Sequence, residues 1–129
     1  MEQGGHPQEQ PLALELDEEA CQCIVESTFL AGCELVEETD STNDDCLAAF
    51  RSGQIKQHPW LFVANHQRRG RGRSGNSWWS AAGALTFSIS ISLEDPANQS
   101  LLSLLSAVAC CDALEKVAGC PQLEIKWPN

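Results

Sequence analysis

The apolar positions along the chain change their spacing from segment to segment, and each change marks a predicted element. From Asp17 to Gly32, Ile24, Val25, Phe29 and Leu30 give a partial helical stripe. Asp17 is placed to cap that helix, Glu18 and Glu19 favour its positive end, and Gly32 stands where it is expected to stop. Residues 34–39 (ELVEET) read as a short strand running into Asp40-Ser41-Thr42-Asn43, a polar cluster suited to capping a second helix. That helix is expected to run to about Ser52, with Cys46, Leu47 and Phe50 on its inner face and Gly53 at its end. After a loop with His58-Pro59, residues 60–64 (WLFVA) read as a buried strand. In residues 84–93 (ALTFSISISL) the alternation is clean, which predicts a strand burying Leu85, Phe87, Ile89, Ile91 and Leu93 and turning Ser and Thr to solvent. Residues 98–118 predict the longest helix, with Leu101, Leu104, Leu105, Val108, Cys111 and Leu114 as a core stripe and Gly119 closing it before Pro121. A last short strand is expected over 123–127, halted by Pro128. The elements do not alternate as regular βαβ units and no internal repeat stands out. The expected class is α+β, a mixed, largely antiparallel sheet flanked by helices.

Length and composition narrow this picture. A chain of 129 residues with 43% hydrophobic residues has room for one core. Residues 1–16, rich in Gln, Gly, Pro and Glu, read as a mobile tail ahead of a domain over 17–129. No apolar run has bilayer length, and the N-terminus has neither the form of a secretory signal nor of a transit peptide, so a cytoplasmic location and no membrane partner are expected. Seven cysteines, an odd number with no C-x-x-C spacing, suit free thiols rather than a disulfide framework or a metal site.

The net charge of −10 opposes general nucleic-acid binding, and the distribution says more than the sum. Thirteen of the 18 acids precede residue 46, whereas four of the eight basic residues (Arg68, Arg69, Arg71 and Arg73) lie together. Such a chain is arranged to meet one anionic group. Within residues 67–83, Gly70-Arg71-Gly72-Arg73-Ser74-Gly75 combines backbone free to approach a ligand with guanidinium forks that fit phosphate or carboxylate. Trp78 and Trp79 follow, and an indole walls off apolar ligands. The loop is neither a Walker A motif nor a dinucleotide fingerprint, since no lysine follows the glycines and they lead into a strand. Taken alone, it reads equally as a small-molecule anion site, an RNA-contacting Arg-Gly segment, or a solvated loop.

Three strings taken together decide more than the loop. Glu38-Thr39-Asp40-Ser41-Thr42-Asn43, then the run from Gln67 through Gly70-Arg71-Gly72-Arg73-Ser74-Gly75 to Trp78-Trp79-Ser80, then Lys126-Trp127-Pro128-Asn129, resemble in order and spacing the signatures of biotin protein ligases. The resemblance covers residues 34–129 and implies the N-terminal part of the biotin/lipoate ligase catalytic domain. It implies activation of biotin by ATP to biotinyl-5′-AMP, Mg2+ accompanying the ATP, and transfer of biotin to a lysine of a biotin carboxyl carrier protein. Carried onto these positions, Ser41 and Thr42 would bond the ureido ring of biotin, Gln67 would bond nearby, and Trp78 would line the pocket. Gly70, Arg71 and Arg73 would hold carboxylate and phosphate, with Lys126 and Asn129 on the nucleotide side. Arg71, Arg73 and Lys126 are the catalytic candidates, and no resident metal site is expected. An ordinary helix cap is the alternative reading of Ser41 or Thr42, and the match of the whole string favours the ligand role. Arg68 and Arg69 read as solvated, and Trp60 and Trp79 as packing residues.

The chain departs from the family pattern at Asn76, where a basic residue is usual, and at Ala81, where a proline is usual. Family members continue beyond K-W-P-N to a further reactive-centre lysine, so these 129 residues are expected to show weak or absent biotinyl-AMP synthesis alone. Without a preceding helix-turn-helix, DNA binding is not expected, and dimerisation is left open. The other readings are a biotin- or nucleotide-binding fragment and an RNA-contacting loop.

Overall fold

The computed structural model describes residues 16–119 and 123–126, and for Arg73 the backbone alone. Asn129 and nearly all of the expected tail therefore lie outside the described residues. Leu16 is tied down, because its N–H donates to Asn65 Oδ1 at 3.0 Å and its carbonyl accepts from Asn65 Nδ2 at 3.1 Å. The chain divides into two compact units, residues 1–92 and 93–129.

In the first unit, α1 (Glu18–Ser27) starts as expected, with the Asp17 carboxylate accepting the Ala20 N–H. It stops earlier than Gly32. The Thr28 hydroxyl donates to the Ile24 carbonyl, Thr28 itself is extended, and Phe29 lies exposed beyond the helix. β1 (Gly32–Thr39) follows, then α2 (Thr42–Arg51) and β2 (Trp60–Gln67). β1 and β2 are parallel, with Thr39 opposite Gln67, and β5 (Thr86–Ser90) is antiparallel to β2, giving the order β1-β2-β5. Between β2 and β5, β3 (Gly70–Arg71) and β4 (Ser77–Trp78) form a small antiparallel ribbon within the glycine-rich loop. The class is α+β with a mixed sheet, as the sequence predicts.

The core lies between α2 and the sheet. Cys46 and Ala49 of α2 pack with Ile55 and Phe62, and Trp60 closes one side. The inner face of α2 is thus Cys46 and Ala49; Leu47 and Phe50, expected beside Cys46, are exposed. α1 meets β1 through Cys21 and Cys33. There burial pushes the Cys33 thiol up to about 12, and neighbouring Cys21 adds to the rise.

β5 corrects the sequence reading most sharply. Its alternation is real, but the face turned toward α2 is the polar one. Thr86 is buried, whereas Phe87 and Ile89 remain 43% and 47% exposed. The reason is a polar seam between helix and strand. Thr42 Oγ1 lies 2.8 Å from Ser88 Oγ, and the Cys46 thiol lies near Ser90, whose hydroxyl is 3.0 Å from His58 Nδ1. Four helix residues advance about 6 Å and two strand residues about 6.8 Å, so the two spacings match. Alternation defines two faces without saying which one a neighbour covers.

The second unit contains a 3-10 turn (Pro96–Leu101), begun by Asp95 accepting the Ala97 N–H, and α3 (Leu102–Ala118). Gly119 ends α3 in the left-handed conformation, with its N–H bonded to the Glu115 carbonyl, as predicted. The stripe of Leu104, Leu105, Val108 and Leu114, expected in the core, is exposed, and no residue of α3 is buried. Amphipathic spacing marks a face able to be covered, and nothing described within its own unit covers this one. Residues 123–126, expected as a strand, form no regular structure.

Candidate functional site

The site begins where parallel β1 and β2 end side by side. Beyond the Thr39–Gln67 pair, the Arg68 N–H donates to the Thr39 carbonyl and the Arg69 N–H to the Asp40 carbonyl, at 2.9 Å each. These bonds bring the Asp40-Ser41-Thr42 turn against the start of the arginine loop, although the two segments lie far apart in sequence.

A buried hydrogen-bonded corner results. Ser41 caps α2, its hydroxyl accepting the Asp44 N–H at 3.3 Å, so the ordinary capping role of this residue is present. Gln67 is buried and its Oε1 accepts the Thr42 N–H at 2.9 Å, with the Thr42 hydroxyl at 3.4 Å. The Thr39 hydroxyl donates to Asp45 Oδ2 at 2.6 Å and accepts the Ser41 N–H at 3.3 Å. Ser41, Thr42 and Gln67, chosen from the motifs, are therefore neighbours with fixed orientations. Thr39, Asp45 and Ser88, which complete the network, were not singled out. For Ser88 the polar face of the alternating strand was a usable signal.

Gly70 joins this corner because only a glycine fits. A Cβ there would lie 2.7 Å from the Trp78 carbonyl oxygen and 2.8 Å from Gln67 Nε2. The missing side chain lets the β3–β4 ribbon close onto Gln67. Trp78 thus stands beside the corner, half exposed, and Trp79 is 86% exposed rather than packed. In the loop itself the Gly72 N–H donates to the Asn76 carbonyl, so this amide closes the ribbon and is not part of an inward-facing nest.

The charged rim follows. Arg71 Nη2 bonds both carboxylate oxygens of Asp44. Arg68 pairs with Glu38 at 3.2 Å and with Asp40 at 3.0 Å, whereas Arg69 reaches Asp40 only at 4.0 Å with its side chain 81% exposed. Asp40, Asp44, Arg68, Arg69, Gly70, Arg71 and Ser77 line one open cavity of about 440 Å3. In this recess each arginine faces a carboxylate. The sequence reading missed these partners; the acids of the Asp40–Asp45 turn were visible, but the strand register that delivers them was not. Lys126 is exposed in the second unit, Arg73 is described by its backbone alone, and Asn129 lies outside the described residues. Among the described residues no group of His, Cys, Asp and Glu converges in a way that could hold a metal ion.

The profile of the Biotin/lipoate A/B protein ligase family matches residues 35–129, the stretch that builds both corner and rim. The chain belongs to that family. Among curated relatives, it is 36% identical over 101 residues to a biotin–[acetyl-CoA-carboxylase] ligase of Mycobacterium tuberculosis, covering 74% of this chain and 38% of that protein. It is 32% identical over 127 residues to the bifunctional ligase/repressor BirA of Salmonella typhimurium, covering 97% of this chain and 37% of that one. The chain thus spans under two fifths of these relatives. A solved biotin acetyl coenzyme A carboxylase synthetase of Helicobacter pylori, with bound biotinylated ATP, superimposes with a TM-score of 0.65 and 26% identity over 75% of this chain and 46% of that one. A biotin protein ligase of Leishmania major in complex with biotinyl-5-AMP gives 0.58 and 26%, over 67% of this chain and 35% of that one. A biotin/lipoate ligase family member with this loop is the frame for the chemistry that follows.

Proposed function

We propose that this chain carries the biotin- and adenylate-binding corner of a biotin protein ligase. The whole reaction activates biotin with ATP to biotinyl-5′-AMP and passes the biotinyl group to a lysine of a biotin carboxyl carrier protein. The observation that carries the reading is the meeting of a buried, prearranged polar corner (Ser41, Thr42 and Gln67) with an arginine rim at Gly70 and Arg71. The corner suits a neutral polar ring such as the ureido group, and the rim suits a carboxylate becoming an acyl phosphate. Trp78 would wall the apolar body of biotin. Donors fixed around the α-phosphate stabilise the charge that grows there during attack, and side-by-side binding supplies much of the rest. Arg73, Lys126 and Asn129 are proposed at the nucleotide from the motifs alone. Magnesium would arrive with the ATP phosphates, because among the described residues no group of carboxylates converges into a metal cage. Absence of DNA binding is proposed on the pairing of the rim arginines with acids, and a gel shift with duplex DNA tests it. No described helix is long and apolar enough to cross a membrane, and the described cysteines are free thiols, in keeping with a proposed cytoplasmic location.

Calorimetry with biotin and with a non-hydrolysable biotinyl-AMP mimic tests the reading. Arg71→Ala should weaken the mimic by about ten- to a hundredfold, the worth of one charge-assisted bond. An unchanged affinity refutes the assignment. Pyrophosphate release from biotin and Mg-ATP is expected to be weak or absent for these residues alone. Binding without turnover marks a binding fragment. Steeply salt-dependent RNA binding indifferent to biotin would favour the Arg-Gly alternative instead.

A further inference from the structure

Arg71 does not wait empty. Its base is fixed by the β3–β4 ribbon, where Arg71 pairs with Ser77, and its Nη2 is chelated by both oxygens of Asp44. Asp44 is fixed in turn, because its N–H is held by the capping hydroxyl of Ser41 in the first turn of α2. A carboxylate of the same shape as a ligand's carboxylate therefore occupies the Nη2 edge of the guanidinium, and both partners line the same recess. Resting on the reading of Arg71 as an anion holder, we propose that Asp44 is an internal counter-anion that the ligand must displace, and so a specificity-determining residue of the site.

The geometry makes the exchange cheap. Both side chains are at least half exposed, so the pair is solvated and weakly held. Once released, the Asp44 carboxylate stays in the first turn of α2, where the positive helix end favours it. A ligand that also fills the buried corner recoups the exchange. An anion that touches only the rim does not, and a polyanion meets Glu38, Asp40 and Asp44 together. Asp44 thereby lowers the affinity of every anion that takes Arg71 and leaves neutral ligands untouched, so what is attached to the anion decides whether it stays bound.

Binding of biotin, of neutral biotinamide and of inorganic pyrophosphate to the 129-residue chain tests this, in wild type, Asp44→Asn, Arg71→Ala and the double variant. Asp44→Asn should tighten biotin and pyrophosphate by about two- to fivefold, the range of an exposed ion pair, leave biotinamide unchanged, and lose its effect in the Arg71→Ala background. Rising salt should shrink the gain. Unchanged or weakened pyrophosphate binding in Asp44→Asn overturns the proposal, whatever biotin does. If biotin binds neither form while pyrophosphate tightens as expected, the biotin reading fails and the counter-anion role stands. Asp44→Ser provides the same comparison should the amide disturb α2.

Discussion

The buried corner and the arginine rim are joined at Gly70 but are built on opposite principles. In the corner, Ser41, Thr42 and Gln67 are almost wholly shielded and each is held by a partner at fixed geometry. At the rim, Arg68, Arg69 and Arg71 stand in solvent and are held only by carboxylates that salt can screen. A buried polar group without a partner is expensive, so the corner has to be complete before any ligand arrives. An exposed charge carries no such requirement, so the rim is free to change partners. The first region is fixed in shape and the second is open to exchange.

Substitutions can break this contrast or sharpen it. Gly70→Ala attacks the hinge between the regions, since the new methyl meets a backbone carbonyl that cannot step aside. We expect a loss of about 3 kcal/mol in a urea titration and no measurable biotin affinity. Wild-type stability would show that the ribbon is free to move away. Gln67→Leu removes the acceptor of the buried Thr42 N–H, and about 1–2 kcal/mol should be lost along with much of the biotin affinity. An unshifted denaturation midpoint would mean that water replaces the amide and that the corner is not closed. At the far end, Arg69→Ala should change stability by less than about 0.5 kcal/mol and leave biotin binding unaltered, because its nearest carboxylate is only at the limit of an ion pair. A large effect there would move the boundary of the rim outward.

What the sequence disclosed follows the same division between local and non-local causes. Asp17 and Ser41 were legible as helix caps, and Gly119 as a helix end, because capping is settled within a few residues. Ser41, Thr42, Gln67 and Gly70 were legible from their motifs, although the strings alone do not say that Gln67 bonds the Thr42 amide. The inward face of β5 was read backwards. Its Ser88 and Ser90 bond Thr42 and His58, a match across elements that alternation cannot report. The Leu-rich stripe of α3 was read as core from spacing that measures only the capacity for burial. Asp44 as partner of Arg71 was invisible for a third reason: an ion pair between separate segments depends on the strand register that brings them together.

That register has a consequence for how such a site tolerates change. β1 and β2 run in the same direction, so the two segments that build corner and rim leave the sheet at the same end, aligned by the ladder rather than by the chain joining them. Between α2 and β2, the exposed Lys56-Gln57 tip can gain residues without disturbing the alignment, whereas Ile55 belongs to the core. A slip of one residue in the ladder would instead carry Gln67 to the opposite side of the sheet and dismantle the corner. Insertions are therefore tolerated at that tip and ruinous in the strands.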